Sequence, residues 1–479
     1  MEVQLVQPGS FALNKHYYQK VINAQIHPLI KFFLNLKKEQ IVSRYCHLNP
    51  QADSEGLLNL LEYKTKHLRW AGADLLYVTT PEGQNKIVVI EVNSCPSGQK
   101  SMPLRDEFDE EGGYAKVIKD SFLSMLKGKR AVEGDLAVIY DKNIMEASGY
   151  AATIANMTNE QVYLIPFFQS SWNDFCRYDS NKVLQFKYNG EWKSIRAAFR
   201  YVTQKPWDRI AVDSKTRIFN PVISCLAGGR NKLVAAKAYE LFNSELSQIG
   251  LKINTPHTIY DVAKMEIPFH IQALGGKGVV KVPYSNAGQG VYTITNQKEL
   301  DSFMDLDEDY DKYIVQSLIG NSSWSSKGPE GELYHVGTMP NKKNEIFVAD
   351  MRFMVCSGAD GFQPVSLYAR KAASPLKDSL DKDVDSWAML GTNLSEKLGK
   401  DKWGSDTDRL LLMDTRDFNV LGVGIDQLIE GYVQTVLSVI AIDKLAVTLI
   451  NDKGTLKKKL FHSMNKDESY TNELYKYEQ

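Results

Sequence analysis

Hydrophobic positions recur three and four residues apart in several parts of the chain, which is the period of an amphipathic helix. This pattern predicts a helix over residues 15–45, with Pro28 as a kink, and another that begins at Ser54. It predicts a third helix over residues 231–250, which ends at a glycine, and a fourth in the long segment that begins at Ile425. We expect this last helix to be amphipathic.

Short apolar runs bounded by turn residues predict the strands. Two runs flank the PEGQN turn at residues 81–85 and predict a β-hairpin. Two others enclose the helical segment 145–158 and predict a parallel β-α-β unit. Further strand pairs are predicted around the turns at 189–190, 358–361 and 452–454, and a polar, frayed tail is expected after the last pair. The mixture predicts an α/β (α+β) fold.

Composition narrows the class of partner and the compartment. The 479 residues carry a net charge of −1, so no basic excess points to nucleic acid or to an anionic membrane. The first 20 residues lack a basic region followed by an apolar one, and no run of about 18 apolar residues occurs, so we expect neither a secretory signal nor a transmembrane helix. The five cysteines are scattered and lack CxxC spacing, which favours reduced thiols in a cytoplasm over disulfides or structural zinc.

A lysine and a glycine-containing loop suggest phosphate binding. The strand that ends at Lys281 leads into a loop and returns as a second strand. Glycines allow backbone N–H groups to approach phosphate oxygens, and the lysine supplies positive charge. The loop is not a Walker A motif, and a surface hairpin with a lysine remains the alternative. Its candidate phosphate-binding residues are Ser285, Asn286, Gly288, Gln289 and Gly290.

The predicted hairpin at 81–85 carries three oxygen-bearing side chains. Glu91 and Asn93 lie two residues apart and point to one face of their strand, and strand pairing can bring Asp74 beside them. Carboxylate and amide oxygens suit Mg²⁺ that is shared with nucleotide phosphates. The alternative is a set of solvent-facing polar residues, but the apolar IVVI run before Glu91 indicates burial, and a buried carboxylate needs a partner.

Taken together, these segments resemble the ATP-grasp superfamily. Most of residues 68–103 and 134–395 are covered by the resemblance, and its motifs keep a consistent relative order. The matching segments are the metal hairpin GADLLYVTTPEGQNKIVVIEVNSCPSG, the lysine-initiated helix NKLVAAKAYELFNSELSQIGLKINTPHTI, the phosphate loop GVVKVPYSNAGQGVYTI, the hinge YIVQSLIG, the arginine strands DMRFMVCSG and LYAR, and the asparagine segment LGTNLSEK. The β-α-β unit from Gly134 resembles the Rossmann-like pre-ATP-grasp domain of that family.

The order of the motifs resembles the circularly permuted members of the family, the eukaryotic-type glutathione synthetases and glutathionylspermidine synthetases. The metal hairpin comes first here, and moving residues 1–128 to the end restores the usual order. We therefore expect 1–128 to be the permuted C-terminal half of the ATP-grasp fold, 129–226 a pre-ATP-grasp domain, 227–395 the nucleotide-binding part, and 396–479 a C-terminal helix and strand pair that complete the core.

The resemblance implies a role for each candidate residue. Lys232 and Lys281 would neutralise the phosphates of ATP, the loop from Ser285 to Gly290 would close over them, and Mg²⁺ would be held by Asp74, Glu91 and Asn93. The chain from Gln316 through Ser317 to Leu318 would border adenine. Arg352 and Arg370 would hold a carboxylate or an oxyanion, and Lys100 would touch substrate or phosphate unless it belongs to a plain surface turn.

The implied reaction is an ATP-dependent carboxylate–amine ligation through an acyl phosphate, with ADP and phosphate released. The partners would be a small-molecule acid and an amine of amino-acid or peptide type, and we expect a homodimer by default. The alternatives are a small-molecule kinase and a nucleotide-binding sensor without turnover. Three residues and one segment keep two interpretations. Asp350 is a metal ligand or, preferably, the partner of Arg352, and Cys95 is a nucleophile or, preferably, a buried filler. Arg200 and the GGRN segment 228–231 face the second substrate or are structural, as a buried ion pair and a helix N-terminal turn.

Overall fold

The structure is a computed structural model that describes residues 2–106, 108–127, 132–285, 288–307, 310–380, 385–397 and 403–475. The first part of the chain forms β1 Gln4–Val6, α1 Leu13–His16, α2 Gln19–Ile22, α3 Pro28–Leu34, α4 Lys38–Leu48, α5 Ser54–Leu61, β2 Trp70–Thr79, β3 Asn85–Asn93, α6 Gly112–Val117 and α7 Leu123–Leu126. The next part forms β4 Asp135–Tyr140, α8 Ile144–Thr158, β5 Val162–Pro166, α9 Trp172–Phe175, β6 Cys176–Tyr178, β7 Leu184–Tyr188, β8 Glu191–Tyr201, β9 Arg217–Phe219 and α10 Val222–Ser224.

The remaining elements contain the predicted nucleotide-binding residues. They are α11 Lys232–Leu246, β10 Thr258–Val262, α12 Ile267–Ala273, β11 Gly278–Lys281, β12 Val291–Ile294, α13 Gln297–Met304, β13 Tyr313–Gln316, β14 Tyr334–His335, β15 Ala349–Gly358, β16 Gly361–Lys371, α14 Ser386–Leu390, β17 Ser395–Lys397, β18 Trp403–Ser405, β19 Leu410–Leu411, α15 Ile425–Leu449, α16 Lys458–Met464 and α17 Glu468–Tyr475. Short 3₁₀ and π segments connect several of them.

The first sheet contains the predicted β-α-β unit. Its strand order is β1-β5-β4-β8-β7-β6, with β9 beside β8. Strand β4 pairs in parallel with β5 on one side and with β8 on the other. The hairpin predicted at 189–190 joins β7 and β8. Strand β1 pairs with β5, so the N-terminal residues cross the expected boundary at 128 and join this sheet.

The other two large sheets are antiparallel and place the candidate residues. One has the order β10-β13-β11-β12 and holds Lys281 at the end of β11. The other has the order β14-β2-β15-β16-β19, with β3 paired to β2. The hairpin β2–β3 from the start of the chain is therefore bonded directly to the arginine-bearing strand β15. Together the sheets and helices confirm the predicted mixed α/β fold class.

Helix α15 lies in the centre of the molecule. It packs on β2, β3 and β15 on one side and on α3, α4, α5 and α11 on others. By length and composition it could cross a membrane, but 83% of its most apolar window is buried in the fold. The prediction of an amphipathic helix is thus wrong, because helices from the first 61 residues cover the face that would otherwise meet solvent.

The single helix predicted over 15–45 is also wrong. Four short helices occupy this region, and Pro28 begins α3 instead of kinking a longer helix. Its predecessor His27 is extended (φ −65°, ψ 135°), as expected because the proline ring disfavours helical geometry in the residue before it. The adjacent Ile26 forms an isolated bridge with Asp414.

The end of the chain differs from its prediction as well. The turn at 452–454 forms, but the strand pair is reduced to one bridge between Ile450 and Leu456. Helices α16 and α17 replace the frayed tail over the described residues, because Phe461, Tyr470 and Leu474 are buried and anchor them.

Candidate functional site

A cavity of about 1100 Å³ lies where the three large sheets meet. A second cavity of about 760 Å³ shares Glu91, Lys232 and Lys281 with it. Gly290 does not line the larger cavity, and Asn286 lies outside the described residues. The other predicted site residues all line it: Asp74, Glu91, Asn93, Lys100, Lys232, Lys281, Ser285, Gly288, Gln289, Gln316, Ser317, Leu318, Arg352 and Arg370.

Two lysines and a serine form what we call the lysine cluster (Lys232, Lys281 and Ser285). Lys232 is the first residue of α11, and its Nζ donates to Ser285 Oγ at 2.8 Å. Lys281 ends β11 and is buried. The nearest carboxylate oxygen recorded for the cluster is Glu91 Oε2, 3.8 Å from Lys232 Nζ.

The charges of the lysine cluster are only partly compensated. Burial lowers the pKa of Lys281 to about 8, and the attraction of Glu91 does not restore it. Burial also lowers the pKa of Lys232 against the same attraction. Both ammonium groups have thus lost water without gaining a close counter-charge, so an anion that enters here is stabilised by both.

The phosphate loop is closed by its glycines. Gly288 and Gly290 have φ values of 78° and 65°, a region that favours glycine. The N–H of Val282 donates to the carbonyl of Gly290 at 2.9 Å, and a Cβ on Gly290 would come within 2.4 Å of the Val282 side chain. Gly290 therefore contributes through its backbone, because only a residue without a side chain fits in this conformation beside Val282.

Glu91 and Asn93 present oxygen-bearing groups at the cavity. Asn93 Nδ2 donates to Glu91 Oε1 at 3.2 Å, and the Glu91 side chain is 32% exposed. Mg²⁺ in nucleotide sites uses one or two carboxylates and completes its shell with phosphates and water. The two residues fit that role, whereas among the described residues no group of three His, Cys, Asp or Glu side chains could hold a metal ion by itself.

A buried network of two aspartates and two arginines forms the arginine cluster (Asp74, Asp350, Arg352 and Arg370). Arg352 donates to both oxygens of Asp74, with Nε–Oδ1 and Nη2–Oδ2 distances of 2.6 and 2.7 Å. Arg370 binds Asp350 in the same two-pronged manner, and its Nη2 lies 2.9 Å from Asp74 Oδ2. Each residue of the cluster is at most 9% exposed.

The pairing predicted between Asp350 and Arg352 is wrong. Residues two apart on one strand share a face but stand roughly 6–7 Å apart along it. Directly opposite residues on neighbouring strands are closer. The register places Asp350 opposite Arg370 and Arg352 opposite Asp74, and these are the pairs that form.

This network bears on the predicted metal role of Asp74. Burial would raise the pKa of Asp74, but the charges of Arg352 and Arg370 outweigh burial and hold the pKa well below its ordinary value. The carboxylate is ionised and already bound by two guanidinium groups, so binding Mg²⁺ would require breaking those bonds. The geometry therefore argues for Asp74 as an arginine partner and leaves Glu91 and Asn93 as the metal candidates.

Lys100 lines the cavity, but its charge is already used. Its Nζ lies 2.9 Å from Glu146 Oε2 and donates to Ser97 Oγ at 2.8 Å. Glu146 is fully buried and also accepts the backbone N–H groups of Gly98 and Gln99. The ion pair fixes the turn after β3 onto helix α8, so the contacts of Lys100 are those of a residue that positions this turn, and its contact with a substrate stays a prediction.

The hinge strand meets an apolar part of the cavity. Gln316 Nε2 donates to Thr258 Oγ1 at 2.8 Å. The N–H of Leu318 donates to Ser326 Oγ and its C=O accepts the N–H of Ser326, so the backbone of Leu318 is already paired within the chain. The apolar wall consists of Leu76, Ile90, Val279, Leu318 and Ile319.

Two ambiguous residues of the sequence are structural. Arg200 is fully buried and donates to the carbonyl oxygens of Ser94, Val202 and Asn220. Cys95 is fully buried, and burial raises the pKa of its thiol, which disfavours a nucleophilic thiolate.

Several cavity residues were not found from the sequence. Lys142, Asn143, Thr203 and Gln204 follow strands β4 and β8, and the β-α-β pattern was a signal that could have located them. His335 had no such signal; burial lowers its pKa to about 4, so it is a neutral imidazole beside the apolar wall.

No protein-family model matches this chain, and no curated protein matches it. Among solved structures it is similar to a glutathione synthetase-like effector from Globodera pallida, with 10% identity over 73% of this chain and 86% of that one and a TM-score of 0.38. It is similar to a RimK domain ATP-grasp protein from Sphaerobacter thermophilus, with 13% identity over 49% and 90% of the two chains and a TM-score of 0.29. It is also similar to N5-carboxyaminoimidazole synthetase from Staphylococcus aureus, solved with ADP, with 10% identity over 50% and 71% and a TM-score of 0.24.

Two of these proteins carry the names that the sequence motifs suggested, ATP-grasp and glutathione synthetase-like. All three TM-scores lie below 0.5, so these likenesses are too weak to assign an activity. The function proposed below rests on contacts within this chain.

Proposed function

We propose that this protein is an ATP-dependent ligase of the ATP-grasp type that joins a small-molecule carboxylate to an amine. The observation that carries the proposal is the convergence of the lysine cluster, Glu91 with Asn93, and the arginine cluster on one cavity. These groups come from the first hundred residues and from residues 232 to 370, and each has a separate task in phosphoryl transfer to a carboxylate. Neighbours with a TM-score below 0.5 add no weight to it.

The lysine cluster suits the phosphates of ATP. Phosphate oxygens would complete the counter-charge of two ammonium groups whose pKa burial has lowered, and the loop from Ser285 to Gly290 would supply backbone N–H groups. Adenine would lie on the apolar wall near Gln316 and Ser317. Mg²⁺ would be held by Glu91 and Asn93 together with phosphate oxygens, and there it would neutralise charge on the phosphates.

The reaction follows from that placement. A carboxylate oxygen of the acid attacks the γ-phosphorus of ATP, the bond to the β-phosphate oxygen breaks, and ADP leaves. The amine nitrogen then attacks the acyl carbon, phosphate leaves, and the nitrogen loses a proton. This chemistry needs positioning and charge neutralisation more than a side-chain nucleophile.

The arginine cluster would orient the acid and stabilise the oxyanion that forms when the amine attacks. A guanidinium carries five N–H groups, and Arg352 uses its Nε and Nη2 on Asp74. Further N–H groups of the same planar ion can bind an oxygen of the substrate. Because Asp74 and Asp350 lock both guanidinium planes, the cluster holds this geometry before the substrate arrives.

We propose the same domain limits as for the sequence, except that β1 joins the sheet of 129–226 and that helices α16 and α17 take the place of the C-terminal strand pair. Residues 1–128 supply the metal hairpin, which joins β15 from the other end of the chain, as a permuted ATP-grasp fold requires. We also propose a reducing cytoplasm as the compartment, since all five cysteines are free thiols. The homodimer is kept as an expectation.

The test is ADP release in Mg²⁺ across amino acids, small di- and tricarboxylic acids and polyamines, with and without hydroxylamine. Acid-dependent ADP with a trapped hydroxamate is the expected result, because only an activated acyl group reacts with hydroxylamine. ADP that forms without a hydroxamate would replace the proposal by transfer to a hydroxyl. Nucleotide binding without ADP for any acid would point to a sensor.

A further inference from the structure

A crevice lies at the carboxyl ends of β4 and β8, which we call the switch-point crevice (residues 141–143 and 203–204). Strand β4 continues through α8 to β5 on one side, whereas its other neighbour β8 comes later in the chain. In open parallel sheets, ligands bind where the connections diverge in this way, outside the carboxyl ends of the strands. All five residues of the crevice line the 1100 Å³ cavity described above.

The acidic residue of the crevice is already neutralised. Asp141 accepts the backbone N–H groups of Thr203 and Gln204 and lies 3.0 Å from Arg209 Nη2. The Asp141 and Arg209 side chains are both buried. Asp141 therefore fixes the ends of the two strands relative to each other and offers no charge to a ligand.

The charge of Lys142, unlike that of Asp141, is not neutralised by a close partner among the described residues. Lys142 is half-buried, its Nζ lies 5.6 Å from the centre of the Tyr201 ring, and within the described ranges no carboxylate forms an ion pair with it. Burial, and after it the charge of Arg230, lower the pKa of Lys142 to about 8, although the neighbouring Asp141 carboxylate acts in the opposite direction. Lys142 thus lies at the cavity wall without a carboxylate at ion-pair distance among the described residues, and Arg230 adds positive charge near it.

We propose that the switch-point crevice binds a non-reacting carboxylate of a substrate, with Lys142 Nζ as its counter-charge and Arg230 beside it. A carboxylate would supply the close counter-charge that Lys142 does not have among the described residues, and it would replace the water that Lys142 has lost. A polyamine would add positive charge beside Lys142 and Arg230, so we expect the crevice to disfavour it. The inference rests on the proposed ligase function. It adds that one substrate carries a carboxylate group that takes no part in the reaction.

Such a carboxylate has two sources. The acid can be a dicarboxylate, with one group facing ATP and the other in the crevice. Alternatively, the amine can be an amino acid whose own carboxylate occupies the crevice. Both place the same chemical group on Lys142, and they differ in which substrate carries it.

The test is equilibrium binding to the full chain, with Mg²⁺ and a non-hydrolysable ATP analogue present. Dicarboxylates are compared with their monoamides, such as glutarate with glutaramate, and amino acids with their amides, such as glycine with glycinamide. Each amide keeps the size of its parent and removes one negative charge. The dicarboxylate series reports on the acid, and the amino-acid series reports on the amine.

In the wild type we expect at least one carboxylate probe to bind about ten- to a hundredfold more tightly than its amide. Lys142→Met should abolish this preference, Lys142→Arg should keep most of it, and Lys187→Met, an exposed lysine on β7, should keep all of it. Wild-type binding without any preference, or a preference that survives Lys142→Met, would overturn the inference.

The readout separates this inference from the ligase proposal. Loss of the carboxylate preference in Lys142→Met, with no ADP formed from any acid, would support the crevice and reject the ligase. A trapped hydroxamate together with an unchanged preference in Lys142→Met would support the ligase and reject the crevice.

Discussion

The lysine cluster and the arginine cluster line the same cavity but carry their charge in opposite ways. In the arginine cluster every cation faces a carboxylate at hydrogen-bond distance. In the lysine cluster the recorded carboxylate contact is 3.8 Å long, and burial lowers the pKa of both lysines. The charges of the arginine cluster are fully paired within the protein, whereas those of the lysine cluster are only partly compensated by Glu91.

Because of this difference, we expect the arginine cluster to contribute mainly to stability and the lysine cluster mainly to ligand binding. Removing one partner from a complete buried network strongly lowers the free energy of unfolding, because a buried charge is left without its counter-charge. In an incompletely paired cluster the folded protein already contains a poorly compensated buried charge. Replacing a residue of such a cluster should therefore lower the free energy of unfolding very little. We infer that the arginine cluster keeps its geometry without a ligand and that the lysine cluster becomes stable only when phosphate arrives.

The largest effect is expected from Glu91, which belongs to neither cluster. Glu91→Gln should lower kcat by at least roughly a thousandfold, because it removes a carboxylate from the proposed metal site. Nucleotide binding and the thermal unfolding curve should stay near those of the wild type. Steady-state ADP release measures the loss, and Glu82→Gln, on the exposed turn of the same hairpin, is the matched control. Full activity of Glu91→Gln would remove Glu91 from the metal site.

Asp74→Asn tests the complete cluster. It should lower the free energy of unfolding by about 3–5 kcal/mol, because the amide cannot accept from Arg352 through both of its atoms and leaves Arg370 with one partner fewer. Urea unfolding monitored by fluorescence gives the value, with the exposed Asp452→Asn as control. A stable Asp74→Asn protein that has lost only Mg²⁺ dependence would instead restore Asp74 as a metal ligand.

Lys281→Met tests the incomplete cluster. The affinity for a nucleotide should fall by about ten- to a hundredfold, since a charge-assisted contact to phosphate is lost. The free energy of unfolding should rise by about 1–3 kcal/mol at neutral pH, because a desolvated ammonium group is replaced by an apolar side chain. Calorimetric titration and urea unfolding of the same sample measure both, with Lys187→Met as control. If Lys281→Met lowered the free energy of unfolding as much as Asp74→Asn does, the two clusters would contribute equally to stability and the proposed difference between them would be wrong.

The smallest effect is a pH dependence. The pKa of Lys281 in the folded protein is about 8, below its ordinary value, so this lysine loses its proton as the pH rises through 8. Phosphate binds the protonated form, so nucleotide affinity should be full below pH 7 and fall up to about tenfold by pH 9. Lys281→Arg should flatten the profile, because arginine stays protonated in this range. A flat profile for the wild type would show that Lys281 keeps its proton.

Prediction from the sequence succeeded where the information is local. The hairpin β2–β3, the pair β15–β16 and the helix that begins at Lys232 follow from periodicity and turn residues within each segment. It failed at residues 15–45 and in the tail, where proline and distant packing decide. Helix α15 was predicted in place, but its burial depends on helices from the start of the chain.

The candidate residues themselves came from the sequence, because lysines, carboxylates and glycines in those local patterns limit the chemistry that they can perform. Their partners did not. Arg352 binds Asp74 across 278 positions of chain, and a shift of the strand register by one residue would turn every side chain to the other face. Lys142 faces the cavity only because β4 and β8 end side by side. The sequence determined which chemical groups are present, and the tertiary structure decided which charges are paired, because pairing depends on distances between segments that local patterns do not encode.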